Sequence, residues 1–179
     1  MPRYVALLRG INVGGRRSLR MEALRAMAAD AGGRDVATYI QSGNLVLTHA
    51  ARSGTKLAAE LERAIVQAAG FAVTVIVRTA AEWQRVVGDN PFADADTDHL
   101  HVSFRAVEPA AGPLTKLDPA RFLPERWQLR GREIYLFTPN GLGRSPLAAA
   151  LSPTKPLVAA TVRNWRTVQQ LQRMVTAGP

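Results

Sequence analysis

Along the first 78 residues the order of apolar and polar positions identifies the elements one by one. Residues 3–9 (RYVALLR) form a short apolar run closed by glycine, the pattern of a buried strand. After a loop over 10–17, Leu19, Ala23, Leu24, Met27 and Ala28 recur at helical spacing, which predicts a helix over 19–31 stopping at Gly32-Gly33. Segments 35–40 and 44–48 are β-rich and joined by Gln41-Ser42-Gly43, a turn signal. Leu57, Leu61, Ala64, Ile65 and Ala68 share one face of a helix over 56–69, with Gly70 as its stop. Residues 71–78 (FAVTVIVR), rich in Val and Ile, read as a further strand. The order β-α-β-β-α-β is that of a ferredoxin-like split unit.

The rest of the chain reads as a second, less regular copy. A linking helix over 79–87 buries Trp83 and Val86-Val87 and ends at Asn90-Pro91-Phe92. A strand over 99–105, a helical turn over 118–123 and a hairpin of 126–130 with 133–138 about Gly131 follow. A short helix over 144–151, a last strand over 157–161 and a closing helix over 163–175 complete the order. Frequent prolines make this half less regular, and no sequence repeat links the halves, so the duplication rests on element order. The expected fold class is α+β: a ferredoxin-like subdomain over 1–78, a linking helix and acidic loop over 79–98, and a second α+β subdomain over 99–179.

Topology places the distinctive residues. In a βαββαβ unit the first two strands run parallel with the third antiparallel between them. The loop after strand one and the hairpin joining strands two and three therefore lie at one end of the sheet. Arg9, Gly10, Asn12, Gly14, Gly15 and Arg16 then stand beside Gln41, Ser42 and Asn44. Glycines let backbone N–H groups approach a ligand closely, and the helix that follows adds its positive end. The same residues also suit two tight turns that merely need glycine conformations. Near the other terminus, Arg163 and Asn164 at the expected helix start form a candidate pair that Trp165 would anchor. Gly141-Leu142-Gly143-Arg144-Ser145 precedes a short helix and is a second candidate cradle.

Composition narrows the chemistry. With 179 residues and an apolar fraction of 47%, the chain can bury a core, which excludes wholesale disorder. No apolar run reaches the length of a membrane span, and the N-terminal apolar stretch is too short for a secretory signal, so a soluble cytoplasmic protein is expected. Zero cysteine excludes disulfides, thiol nucleophiles and Cys-based metal centres. The net charge of +9 arises from 23 basic and 14 acidic residues; 20 of the basic ones are Arg, a balance that GC-rich coding alone would produce. Its distribution carries more: residues 1–48 are net +4, 49–120 net −2 and 121–179 net +7. Basic ends of this kind attract phosphates over about a Debye length, roughly 8–10 Å.

Sharper motifs fail on their residues. Residues 10–17 approach the phosphate loop of nucleotide hydrolases, but Arg16 replaces the lysine and Arg17 the magnesium-binding hydroxyl. The dinucleotide-binding glycine spacing is absent. Asp94-Ala95-Asp96-Thr97-Asp98 imitates half a calcium loop, yet His99 and Arg105 occupy its glycine and glutamate positions. His99 and His101 lack a third ligand, and with His49 as the only other histidine no Ser-His-Asp set assembles. No cofactor and no metal is expected.

Four segments, LLRGINVGG (7–15), YIQSGN (39–44), NPF (90–92) and TVRNWRTV (161–168), resemble signature blocks of the bacterial domain-of-unknown-function family 1697. The resemblance runs from Met1 to about Val175. It implies an α+β protein built of ferredoxin-like halves and brings with it no established activity or cofactor. It also implies lysine at the position of Arg16, and Ser/Thr-Lys-Leu where this chain has Ser145-Pro146-Leu147, so a role needing a cation at Pro146 is not carried over.

The residues support three classes of function. One is a binding module for a phosphate-bearing small molecule or nucleic acid, using the glycine-rich loops and arginines. Open-sheet RNA binding is disfavoured, because YVALL and NLVLT offer only Tyr4 for base stacking and look built to be covered by the second half. Another is an enzyme with a polar cleft between the halves, using Arg9, Asn12, Gln41, Ser42, Asn44, Arg163 and Asn164. That set orients an anion well but contains no general base. The third is a structural or oligomerising protein without a small ligand.

Overall fold

The structure, a computed structural model, describes residues 1–15, 17–109, 114, 116–152 and 159–177. Contacts within the chain divide it into two compact units, Met1–Arg85 with Gln170–Pro179, and Val86–Gln169.

The first unit contains β1 (Arg3–Leu8), α1 (Met21–Asp30), β2 (Arg34–Tyr39), β3 (Asn44–Thr48), α2 (Gly54–Ala69) and β4 (Val75–Thr79). Its sheet is antiparallel in the order β2-β3-β1-β4, as the split-unit pattern predicts. Period-two alternation sends Tyr4, Ala6 and Leu8 to one face, where they join Leu45, Leu47, Val75 and Val77. Leu24 and Ala28 of α1 and Leu57, Leu61 and Ile65 of α2 close that core, the stripes read from the sequence. Val5, Leu7, Val46 and Ile76, on the opposite face, are buried as well. The Tyr4 hydroxyl donates to Ala51 O at 2.7 Å, satisfying the one polar atom this strand buries on the helix side. α2 begins where the Ser53 side chain accepts from Lys56 N–H, and ends at Gly70 in the left-handed conformation.

β4 starts four residues later than the run 71–78 suggests. β1 ends at Leu8, which pairs with Val75; beyond that pair Arg9 N–H still reaches Thr74 O, but β1 does not continue alongside 71–73. α3 (Ala80–Gly88) follows directly. Thr79 and Glu82 form its capping box: Glu82 N–H donates to Thr79 Oγ1 and Thr79 N–H to Glu82 Oε2.

The second unit contains β5 (Leu100–Arg105), β6 (Arg126–Arg130), β7 (Glu133–Phe137), α4 (Pro146–Leu151) and β8 (Ala160–Asn164). Its sheet is antiparallel in the order β6-β7-β5-β8, the same order as in the first unit once the strands are numbered from each unit's start. Ile134, Leu136, Leu147 and Leu151 centre one core, with Trp127, Leu129 and Phe122 packed against it. The expected turn near 118–123 is a 3-10 helix, Pro119–Phe122, capped by Asp118. The hairpin about Gly131 is present with the expected strands.

The end of the chain differs from the pattern reading. The last strand is Ala160–Asn164 rather than 157–161, residues 157 and 158 lying outside those described. The closing helix, α5, is Trp165–Thr176 rather than 163–175. Thr161 and Val162 are β-branched and pair with Phe104 and Ser103, and this ladder carries Arg163 and Asn164 along as strand residues. Trp165, Val168, Leu171 and Val175 are buried along α5, the predicted stripe. Among the described residues no helix is long and apolar enough to cross a membrane.

Candidate anion-binding groove

The loop after β1 and the β2–β3 hairpin meet at one end of the first sheet, as topology requires. Leu8 N–H donates to Gly43 O at 2.8 Å. A β-carbon on Gly43 would stand 2.7 Å from Leu8 Cβ and 2.8 Å from Ile11 Cδ1, and φ is +78°, so only glycine fits this crossing. Asn12 joins the two segments. Its Nδ2 donates to Leu19 O (2.9 Å) and to Gln41 O (2.7 Å), and its Oδ1 accepts from Leu19 N–H (2.8 Å). The Asn12 backbone N–H closes the loop onto Arg17 O at 3.2 Å. Asn12, Arg17 and Ile40 have φ of 55°, 52° and 47°, so three residues with side chains hold the left-handed region at this end of the sheet.

Beside this junction lies a groove of about 830 Å³. Arg9, Gly10 and Arg17 form the loop side, Ala59, Glu62, Arg63, Val66 and Gln67 of α2 the helix side, and Ala72, Val73 and Thr74 the segment entering β4. Arg9 is fixed at its root by its N–H on Thr74 O, 3.0 Å away. The Arg17 guanidinium folds back over Gly10, where a β-carbon would stand 3.8 Å from Nη1. Arg9, Arg17 and Arg63 are all exposed, and none makes an ion pair among the described residues. Glu62 is the one carboxylate of the lining among the described residues, and its Oε1 accepts Val75 N–H at 2.8 Å.

The residues singled out in the sequence divide accordingly. Arg9 and Gly10 line the groove. Gly14 and Gly15 are exposed on the loop, with open space around each α-carbon, and Arg16 lies outside the described residues. Asn12 and Gln41 are engaged in the loop–hairpin junction. Asn44 is buried and donates to Tyr39 O and to Ser42 Oγ, so both side chains brace the hairpin. Arg163 stands in β8, not at a helix start; it is buried, bonded to Thr161 Oγ1 and Val162 O, and burial pushes its guanidinium down to about 10. Asn164 caps α5 through Oδ1, which accepts from Thr167 N–H.

The second glycine-rich cradle is already filled. Ser145 Oγ accepts from Ala148 N–H and the buried Glu125 carboxylate from Leu147 N–H, so two N–H groups at the start of α4 receive oxygens of the chain itself. Pro146 is the first residue of that helix, where a missing N–H costs nothing. In the acidic loop Asp96 caps the 3-10 turn Thr97–His99, and Asp98 pairs with Arg166 at 2.6 Å. Among the described residues no three His, Asp or Glu side chains gather as a metal centre. Burial holds the His101 imidazole below its ordinary value.

Arg17, Glu62, Arg63 and Thr74 were not found by motif reading. The signal for the helical members was available. Ala59, Glu62, Arg63, Val66 and Gln67 recur at intervals of three and four on the flank of the buried Leu57–Leu61–Ile65 stripe. The crossover from β3 to β4 brings one flank of that helix beside Arg9 and Gly10.

Fold and groove together define a two-unit α+β protein whose first split unit carries a cationic groove at its loop end. The chain belongs to the DUF1697 family of proteins of unknown function, whose model matches residues 1–135. The TVRNWRTV segment therefore lies beyond the matched residues. In fold the chain is similar to the conserved bacterial protein SP0830 from Streptococcus pneumoniae. The two are 21% identical, with a TM-score of 0.73, and the match covers 98% of this chain and 99% of that one. No curated protein matches the chain.

Proposed function

We propose that the chain binds a phosphate-bearing small molecule in the groove between the β1 loop and α2. The observation that carries this reading is the convergence of Arg9, Arg17 and Arg63 on one concavity without a carboxylate paired to any of them among the described residues. Guanidinium groups present forked N–H donors that match phosphate oxygens, and three of them suit a dianion better than a lone carboxylate. The volume falls in the range of sites for small ligands, roughly 300–1,000 Å³. The loop that carries Arg9 and Arg17 is braced by Asn12 and Gly43, so its backbone is in place before a ligand arrives.

Calorimetric titration with inorganic phosphate and pyrophosphate tests this. Binding to the wild-type chain is expected, and Arg9→Ala or Arg63→Ala should each weaken it by about tenfold, the loss typical of one charge-assisted hydrogen bond. A saturating ligand should also raise thermal stability, by about 2.7 kcal/mol at a hundredfold excess over Kd. Equal affinity in wild type and both variants would remove the groove as the site.

A further inference from the structure

Glu62 is out of place in a groove built only for phosphate. Its carboxylate lines the same concavity as three guanidiniums and pairs with none of them among the described residues. One oxygen is held by the Val75 N–H at 2.8 Å, which fixes the side chain in the lining rather than letting it swing to solvent. The second oxygen is left to accept from a ligand. An ionised simple phosphate ester has no hydroxyl to offer that acceptor and is repelled by its charge; a phosphate ester carrying sugar hydroxyls gains a charge-assisted hydrogen bond. Ala59, Val66, Ala72 and Val73 supply apolar wall for a carbon framework.

We infer that the groove takes a phosphorylated sugar, free or as part of a mononucleotide, with the three arginines on its phosphate and Glu62 on a sugar hydroxyl. This rests on the anion-binding reading above and names the class of anion. Glu62 is the specificity-determining group: it raises the affinity of hydroxyl-bearing esters relative to simple ones.

The test titrates the full chain with methyl phosphate, ribose 5-phosphate and adenosine 5′-monophosphate. Wild type should prefer ribose 5-phosphate to methyl phosphate by at least about tenfold. Glu62→Gln keeps an oxygen for the Val75 N–H but loses the charge, so the preference should collapse toward unity while methyl phosphate binds as well or better. A monophosphate nucleoside binding tighter than ribose 5-phosphate assigns the apolar wall to the base; equal affinities assign the groove to the sugar phosphate alone. Equal affinity of wild type for methyl phosphate and ribose 5-phosphate overturns the inference but leaves anion binding standing, as does a preference that survives Glu62→Gln. Failure of all three compounds and of inorganic phosphate to bind overturns both.

Discussion

Asn12 shows how one side chain can hold a loop to a neighbouring hairpin. Its backbone sits at φ 55°, a conformation asparagine tolerates better than most residues, and its carboxamide makes three hydrogen bonds to backbone groups of α1's approach and of the hairpin. Alanine would keep the strained backbone and lose all three bonds. Asn12→Ala is therefore expected to cost roughly 1–3 kcal/mol in urea unfolding, since part of the site is exposed and water replaces some of the partners. Asn12→Gly separates the two causes, because glycine removes the strain but not the loss of bonds. If both variants unfold within about 0.5 kcal/mol of wild type, the junction is not held by the carboxamide. The same residue shows why a motif alone does not separate bracing from binding. Asn12, Ser42 and Asn44 are polar residues beside glycines in turns, a pattern shared by ligand loops and by turns that satisfy their own backbone.

The two long helices of the first unit begin differently, and the difference is measurable. Ser53 caps α2, whereas α1 has Arg20 at its cap position, in extended backbone, with no side-chain bond to the first turn. An aspartate at that position has both the oxygen and the sign of charge that a helix start favours. Arg20→Asp should raise stability by about 1 kcal/mol in chemical denaturation. No gain would mean that other groups already serve those N–H donors. At this scale the sequence was informative wherever a period and a stop signal coincided: α2 ends at the Gly70 anticipated for it, and β6 and β7 turn about Gly131. It was uninformative where pairing partners decided the outcome. Residues 71–74 have the composition of a strand, but β1 ends where Val75 begins to pair; Arg163 is held in β8 by β5, and Asn164 both ends that strand and caps α5.

At the scale of the whole molecule, charge counted along the chain and charge gathered in space tell different stories. Arg9 and Arg17 come from the basic first segment, but Arg63 comes from the middle of the chain, which is net −2. Only the packing of α2 brings it to the groove. Paired variants can separate the field of the net charge from the site. Arg9→Ala with Arg63→Ala, and Arg52→Ala with Arg121→Ala, each lower the net charge of +9 by two, and all four side chains are exposed. Association with a single-stranded DNA oligonucleotide at about 50 mM salt should weaken equally in the two, because nonspecific polyanion attraction depends on total charge and falls steeply with salt. Binding of ribose 5-phosphate should be lost only in the first pair. If the second pair loses it to the same extent, the anion is held by diffuse attraction. If the first pair alone abolishes DNA binding, the groove is a polyanion site, and the basic ends of the chain act through it.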